Sequence, residues 1–448
     1  MKVPSSSRKR YLSGADWCVT ALSQGTVEMT GRRCIFQIAI CLAGIPDFGT
    51  VEAAFRSYCD RFPILWGTAS RCWCLAPFWK IPDAPDRMRP VPVARHTLEE
   101  NGARQTAMVR WIETLTNQHA AQDGWRVALD FGQIGTDNSV LVFSFDHCLF
   151  DAAGAETFIQ LFLEDVNGTA CDVDFPSARL TAPAFLDQWC RKFRSGQKIN
   201  RMMRRLAEGA TAWLALPQNA AQKPFRFRMT TFTEDEIRRV RERAYSVAGY
   251  LMFMPFALAS AASAFRPFFM RQAGENAHFV VSVSTDKPKT VAVRTRHFFF
   301  NELSFLYFRF PVAGASDRNA LAGLLRDQLV SQVREEIPSA IEDANLLMRI
   351  LPARQMWRFL MRFYRNRLAS FGFTCLGESS VKALSVLGCA IQNITHFPVI
   401  PTPPGVGLVL NPSRGACQAV LSYIEGVFSD EEADEIMNGF RQWLLDEP

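Results

Sequence analysis

SVLVFSFDHCLFDAAGAETFIQLF, which runs from Ser139 to Phe162, is the stretch that decides the fold. Its first seven residues, Ser139–Phe145, are mostly apolar and rich in β-branched and aromatic side chains, which predicts a short buried strand. Apolar residues then recur at helical spacing and predict a helix over Ala155–Val166. The turn between them carries His147 and Asp151. Because a rigid strand fixes the backbone while a turn exposes its side chains, this is a place where catalytic groups are often held.

The composition is that of a globular protein. The chain has 448 residues, of which 48% are hydrophobic and 21% charged, and its formal net charge is +6. This length exceeds one ordinary core, so we expect two lobes. The charge is modest, and the sequence contains no zinc-finger, helix-turn-helix or glycine-rich single-strand signature, so we expect no nucleic-acid partner.

The cysteines and the N-terminal residues favour a reduced, cytoplasmic location. The twelve cysteines lie mostly singly, with Cys72 and Cys74 as the one close pair, so we expect no metal site. The N-terminal residues are basic and lack the apolar core of a secretory signal. The longest apolar runs, 34–45 and 250–265, are shorter than the roughly 18 to 20 residues that a membrane span needs.

Strand and helix patterns alternate in both halves of the chain and predict an α/β class, or α+β, in two lobes. Residues 217–224 break the pattern, so we expect an N-terminal lobe over 1–216, which carries the turn, and a C-terminal lobe over 217–448. The other expected strands and helices are Cys34–Ala43, Trp125–Phe131, Phe225–Phe232, His278–Ser284 and Phe298–Pro311 as strands, and Val51–Cys59, Thr106–Asn117 and Phe185–Leu214 as helical regions.

The pattern HxxxD occurs twice in the sequence. The first copy, His119 to Asp123, is followed by glycine but lies between a predicted helix and a predicted strand. The second copy, His147 to Asp151, follows a buried strand and precedes a helix. The local context therefore favours the second copy as the functional one.

At this point the chain resembles the HxxxD acyltransferases, the chloramphenicol acetyltransferase-like superfamily of alcohol acyltransferases, wax ester synthases and condensation domains. The resemblance covers most of the chain. Phe62–Trp66 is similar to the FPxL motif found early in the family, and Val420–Glu432 is similar to its final strand and helix. It implies a two-lobe fold with a mixed sheet and helices in each lobe. Two residues depart from the family pattern: Ala152 replaces the usual glycine, and Asp146 stands where condensation domains carry a first histidine.

The resemblance also implies a mechanism that agrees with the chemistry of histidine. A free imidazole titrates near a pKa of about 6.5, so a histidine such as His147 can accept a proton at neutral pH. In the family the Asp151 carboxylate is structural and pairs with an arginine, for which Arg294 or Arg296 is the expected partner. The alternative interpretations are a buried core histidine for His147 and a turn or cap carboxylate for Asp151.

Further polar residues are weaker candidates for the site. Asn301 is expected at the lobe interface or at a strand end. Ser370 and Thr374 are candidate substrate-binding hydroxyls that would donate to an oxyanion, or ordinary strand hydroxyls. His396 and His297 are interpreted as loop histidines.

A basic amphipathic helix is predicted over Leu346–Leu368. Arg354, Arg358 and Arg362 recur on one face, opposite apolar residues. This face is either solvated or a dock for the phosphates of coenzyme A, for an acidic carrier protein or for a membrane surface.

Together these features predict an acyltransferase that moves an acyl group from a thioester to a hydroxyl of a small-molecule acceptor. The expected donor is acyl-CoA, and an acyl-carrier thioester is the second choice. His147 is the expected general base, and no bound cofactor is expected. The alternatives are amide formation on a carrier-bound thioester and a catalytically silent interaction protein of the same fold.

Overall fold

The computed structural model describes residues 8–71, 76–82, 89–99, 104–118, 124–169, 189–250, 252–286, 298–363 and 369–445. Within these residues the helices are α1 Gly14–Thr30, α2 Phe48–Asp60, α3 Arg104–Gln118, α4 Ala152–Val166, α5 Trp189–Leu206, α6 Glu234–Ala248, α7 Phe253–Ala273, α8 Arg318–Arg334, α9 Ile337–Met348, α10 Ala353–Phe363 and α11 Asp430–Leu445. The strands are β1 Arg8–Tyr11, β2 Ile35–Ala43, β3 Thr68–Arg71, β4 Pro77–Ile81, β5 Val93–Leu98, β6 Val127–Ile134, β7 Asn138–Asp146, β8 Phe225–Phe232, β9 His278–Asp286, β10 Leu303–Pro311, β11 Phe371–Cys375, β12 Ser385–Val386, β13 Cys389–Phe397, β14 Val406–Ser413 and β15 Ala416–Ile424.

The first large sheet has the strand order β12-β13-β2-β7-β6-β5. Only the β5–β6 pair is parallel, so the sheet is mixed. Strand β7 lies inside it and is buried from Ser139 to its end, which explains its continuous apolar sequence. Phe143 on one face packs edge-on against Phe55 of α2 and Phe162 of α4, while Val142 on the other face joins the α3 cluster.

The second large sheet has the order β10-β9-β11-β14-β15-β8. Strand β11 runs parallel to both of its neighbours, and the other pairs are antiparallel. Helix α7 packs its phenylalanines into this core; Phe265 and Phe269, for example, contact Phe371 of β11. The two-lobe mixed α/β fold predicted from the sequence is confirmed.

Segments from the second half of the chain return to the first lobe. Strands β12 and β13 extend the first sheet, with β13 antiparallel to β2. Helix α1 packs on α10 so closely that a Cβ at Gly25 would lie 2.2 Å from the Trp357 ring. The lobe boundary after residue 216 stays a prediction. Because β12 and β13 belong to the first sheet, the two lobes are interleaved along the chain rather than consecutive.

The prediction of one continuous basic helix over Leu346–Leu368 is wrong. Helix α9 ends at Met348 and α10 begins at Ala353, and Pro352 lies between them. Proline lacks the amide proton that a helix interior uses and restricts the residue before it, so the chain turns here. Arg354, Arg358 and Arg362 lie on α10.

Smaller differences concern element ends. The predicted strand Phe298–Pro311 enters the sheet only at Leu303, and the predicted helical region Phe185–Leu214 is helical over α5 alone among its described residues. The chain continues from α5 to Thr211, which bridges to His278. In the described part of the chain no single helix has the length and hydropathy of a membrane span, although α6 and α7, bent by 97° at their junction, satisfy that test as a pair.

Candidate active site

Backbone hydrogen bonds shape the turn between β7 and α4. Leu149 N and Phe150 N both donate to Asp146 O, at 2.9 and 3.1 Å, which closes the turn tightly. His147 N donates to Cys34 O, just before β2, at 3.1 Å. The backbone of His147 is therefore held by the neighbouring strand of the first sheet.

The imidazole of His147 is held by one backbone oxygen and one aromatic ring. Its Nδ1 lies 3.0 Å from Phe150 O, and Phe36 packs edge-on against the ring with 5.2 Å between centroids. A carbonyl oxygen only accepts, so in the neutral ring Nδ1 carries the proton and donates it. Nε2 keeps its lone pair and has no hydrogen-bond partner among the described residues. His147 lines the large cavity described below, and a neutral imidazole with a free lone pair on Nε2 is able to accept a proton.

Asp151 is the N-cap of α4. Its Oδ1 accepts from Gly154 N at 2.7 Å, and its Oδ2 accepts from Glu302 N at 2.9 Å. The side chain is buried, and capping satisfies an amide that the first helical turn leaves free. The cap is why α4 begins at Ala152, three residues before the predicted start. Arg294 and Arg296 lie outside the described residues, so the predicted arginine pair stays a prediction.

Residues 298–302 come from the second half of the chain and pack directly on the turn. Phe300 N donates to Leu149 O at 2.6 Å, and the Asn301 side-chain amide donates to His147 O at 2.9 Å. A Cβ at Gly154 would lie 2.4 Å from Phe298 O, so this close approach requires glycine. The segment thus ties the second half of the chain to the backbone of His147.

Asp146, the residue before His147, is a fully buried anchor. Its Oδ2 forms ion pairs with Arg33 and Arg126, and its Oδ1 accepts from Cys148 N at 3.0 Å. Burial alone would raise the pKa of Asp146, but the two guanidinium groups outweigh burial and hold that pKa below its ordinary value. Both oxygens of the carboxylate are therefore used in structural contacts, which fix the backbone at the start of the turn.

A cavity of about 1300 Å³ adjoins the turn between β7 and α4. Its wall combines α1, α5, α9, α10 and both large sheets, and most of the side chains that line it are apolar. Cavities of this kind, with few polar groups among apolar walls, are typical of small-molecule sites. His147, Asp151 and Ala152 line the same cavity, so the turn and the space for a substrate coincide.

Two predicted substrate contacts have structural roles instead. Asn301 is 2% exposed, does not line the cavity, and uses its backbone N–H on Asp16 Oδ1 at 2.8 Å in addition to its bond to His147. Ser370 is buried, accepts from Val280 N at 3.0 Å and donates to Ala212 O at 2.6 Å. Its only hydroxyl proton is therefore used, which corrects the prediction that it donates to an oxyanion.

Thr374 does line the cavity, together with Ser284. Their hydroxyl oxygens are 3.0 Å apart, and either one is able to donate. Two hydroxyls carry two protons, and one mutual hydrogen bond uses one of them, so the pair retains a proton for a ligand. The sequence suggested Thr374 but gave no signal for Ser284, because β9 and β11 pair only in the fold.

Arg354, Arg358 and Arg362 of α10, the candidate dock for coenzyme A, are exposed. None of them lines the cavity. Arg354 pairs with Glu28 at 2.6 Å. The apolar side chains Phe359 and Leu360 of the same helix reach the cavity instead. Among the arginines that the structure describes, Arg204 of α5 lines the cavity, on a helix rich in basic residues.

The interpretation of His396 as a loop histidine is wrong. His396 lies on β13, is buried, and contacts Glu156 of α4 through Nε2 at 2.9 Å. Burial would raise the pKa of Glu156, but hydrogen bonds from His396 and Ser380 hold it below its ordinary value. His396 also lines the cavity. The β-branched and aromatic residues around His396 are a sequence signal for the strand, although not for the contact with Glu156.

Comparison with known structures confirms the fold. The chain is similar to the first condensation domain of the CDA synthetase (TM-score 0.72, 14% identity, 98% of this chain and 96% of that chain). It is also similar to the trichothecene 15-O-acetyltransferase from Fusarium sporotrichioides (0.67, 12%, 98% and 94%) and to a variant of the starter condensation domain of rhizomide synthetase in complex with C8-CoA (0.65, 14%, 98% and 94%). No family model matches the chain, and no curated protein is significantly similar to it in sequence.

Proposed function

We propose that this protein is an acyltransferase that moves an acyl group from a thioester to the hydroxyl of a small-molecule acceptor. The observation that carries the proposal is the bond from His147 Nδ1 to Phe150 O, at 3.0 Å, which leaves Nε2 as a base on the cavity wall. The fold that the chain shares with condensation domains and with an O-acetyltransferase supports the same class of reaction.

The reaction needs only one proton carrier. His147 Nε2 takes the proton of the acceptor O–H as that oxygen attacks the thioester carbonyl carbon, forming the new C–O bond and a tetrahedral oxyanion. Collapse of this intermediate breaks the C–S bond, and the leaving thiolate takes the proton back from the imidazolium. The products are an ester and a free thiol, and the histidine returns to its starting state. No covalent enzyme intermediate and no bound cofactor are required.

Three groups assist this step without exchanging the proton. Asp151 and Asn301 hold the turn, through Glu302 N and His147 O, so that the imidazole keeps its position. The Thr374–Ser284 pair has one hydroxyl donor, an O–H group, available from the opposite lobe. It is our candidate for a hydrogen bond that stabilises the oxyanion.

We further propose acyl-CoA as the donor. Helix α5 carries Arg204 into the cavity wall and is rich in lysine and arginine, which suits the phosphates of coenzyme A. The binding of C8-CoA by a structural neighbour supports a thioester of this kind. The α10 arginines would then form a solvated face, or contact a carrier protein or a membrane surface.

The test is release of free thiol from acetyl- to palmitoyl-CoA in the presence of a panel of alcohols, with the ester identified by mass spectrometry. We expect thiol release that depends on the alcohol, with one ester formed per thiol, and that nearly disappears in His147→Ala. Thiol release without any alcohol dependence, or equal rates in the variant, would overturn the proposal.

A second candidate is amide formation on a carrier-bound thioester, which the condensation-domain neighbours favour. The same Nε2 would take a proton from an attacking amine. Amines that react faster than matched alcohols, with a carrier-bound thioester preferred to acyl-CoA, would select it.

The third interpretation from the sequence, a silent protein, depended on Ala152. Ala152 opens α4 without a positive φ, so the turn does not need a glycine there. This removes the local reason for expecting an inactive site.

A further inference from the structure

His396 of β13 and Glu156 of α4 form a buried, hydrogen-bonded pair, and His396 lines the same cavity as the 147–151 turn. The imidazole Nε2 lies 2.9 Å from Glu156 Oε1, and the side chains are 7% and 11% exposed. Glu156 Oε2 is also occupied, because it accepts from Ser380 N at 2.7 Å and from Ser380 Oγ at 2.9 Å. The carboxylate is thus fully hydrogen-bonded and orients the imidazole.

The remaining ring nitrogen of His396 has no such use. An ionised carboxylate only accepts, so Nε2 carries the proton that it donates to Glu156. In the neutral ring Nδ1 then holds a lone pair, and it has no hydrogen-bond partner among the residues described. Unlike Nδ1 of His278, it is not sealed from solvent, and His396 lines the cavity.

The sheet register separates the backbone of His396 from that of His147. His396 pairs with Ile38, which pairs with Phe143, four residues before His147. Two strand spacings of about 4.8 Å and four residues of about 3.4 Å separate the two Cα atoms by roughly 17 Å. A substrate whose reacting hydroxyl lies at His147 must therefore extend along the cavity to reach His396.

We propose that His396, oriented by Glu156, is a specificity-determining contact that accepts a hydrogen bond from a second hydroxyl or amino group of the acceptor. The inference rests on the proposed acyl transfer and narrows its acceptor to an elongated molecule with two hydrogen-bond donors. The rest of the lining is mostly apolar, so one extra acceptor in this wall selects strongly for a donor at the matching position.

The couple also joins β13 to α4, and a purely structural role has to be separated from a substrate contact. Ser380→Ala is the matched control, because it removes a hydrogen bond from the same carboxylate without touching the cavity lining. His396→Gln removes the imidazole acceptor. A structural role would make both variants less stable and leave their acceptor preference as it is in the wild type.

The experiment measures kcat/KM with octanoyl-CoA for α,ω-diols of about four to twelve carbons and for the n-alcohols of equal length. The wild-type protein and Ser380→Ala should prefer the diol about 3- to 10-fold at one chain length, and His396→Gln should lose that preference. The loss should appear in KM for the diol. No diol preference at any length, or the same preference in His396→Gln, would overturn the inference.

A binding measurement separates this inference from the proposed function. In protein labelled with ¹⁵N-histidine, the Nδ1 resonance of His396 should shift when the matching diol is added, and the n-alcohol should leave it unchanged. A shift without turnover would mean that acyl transfer is wrong while the contact stands. Turnover without any shift at His396 would overturn the contact alone.

Discussion

His147 and His396 line one cavity, yet they are held by partners of different chemistry. The non-reacting nitrogen of His147 donates to a neutral carbonyl, that of Phe150, whereas His396 donates to the carboxylate of Glu156. A carbonyl fixes the tautomer without adding a full charge, so the ring remains free to take and return a proton. A carboxylate only accepts, so it fixes the neutral imidazole of His396 in the tautomer with the proton on Nε2 and the lone pair on Nδ1, which suits an orienting and accepting contact. The group that holds each imidazole thus underlies the two roles that we propose, a general base for His147 and a hydrogen-bond acceptor for His396.

The largest expected effect is on turnover. His147→Ala should lower kcat by about 10²- to 10⁴-fold, because a positioned general base is removed. Its melting temperature should stay close to that of the wild type, which circular dichroism checks. His96→Ala, at a half-exposed pair with Asp130, is the control and should stay within a few-fold.

The other HxxxD copy provides a second control. His119 lies outside the described residues, and His119→Ala should also stay within a few-fold of wild-type turnover. If His119→Ala were inactive and His147→Ala active, the assignment of the turn would be wrong.

The next effect is on stability and compares two of the buried carboxylates, those of Asp146 and Glu156. Asp146→Asn should destabilise the protein by about 3 to 5 kcal/mol, because two guanidinium groups lose their shared anion. Glu156→Gln should cost less, because the glutamine side-chain oxygen still accepts the hydrogen bond that the neutral His396 donates. Urea unfolding at pH 7 measures both, and an equal loss in the two variants would contradict the comparison.

Asp146 also predicts a pH dependence. Its pKa is held below the ordinary aspartate value of about 3.9, so its contribution to stability is complete above that pH. The contribution is lost as the pH falls through the lower folded pKa. The difference in unfolding free energy between wild type and Asp146→Asn should shrink on acidification below about pH 4, and a constant difference would contradict the assignment.

A smaller loss is expected at the cap of α4. Asp151→Asn replaces one of two accepting oxygens by a donor that faces a backbone N–H, which should cost about 1 to 3 kcal/mol and reduce kcat. Asp47→Asn, at the exposed cap of α2, is the matched control and should cost less than about 1 kcal/mol. Equal losses at both caps would mean that the bond from Glu302 N adds nothing.

The smallest effect concerns the donor. Arg204→Gln should raise KM for acyl-CoA several-fold at low salt and less at high salt, because the contact is electrostatic. Changing Arg354, Arg358 and Arg362 together to Gln should leave KM for acyl-CoA near its wild-type value, since none of them lines the cavity. The opposite pattern would restore the α10 helix as the donor site.

These expectations also mark what the sequence was able to predict. The strand, turn and helix around His147 follow from local patterns, because β7 is buried on both faces and α4 is amphipathic. Pro352 divides the predicted basic helix, because a proline breaks the backbone hydrogen bonding that the arginine periodicity alone does not report. The contacts of Asn301 and His396 were not predictable, because they depend on segments that cross between lobes over more than a hundred residues.

The central claim is that the neutral imidazole of His147 is protonated at Nδ1 and keeps its lone pair at Nε2. A long-range ¹H–¹⁵N correlation spectrum of protein labelled with ¹⁵N-histidine, recorded at a pH where the ring is neutral, reports the tautomer directly. Comparison with the spectrum of His147→Ala assigns the signals. We predict a protonated Nδ1 and an unprotonated Nε2; a proton on Nε2 would contradict His147 as the general base.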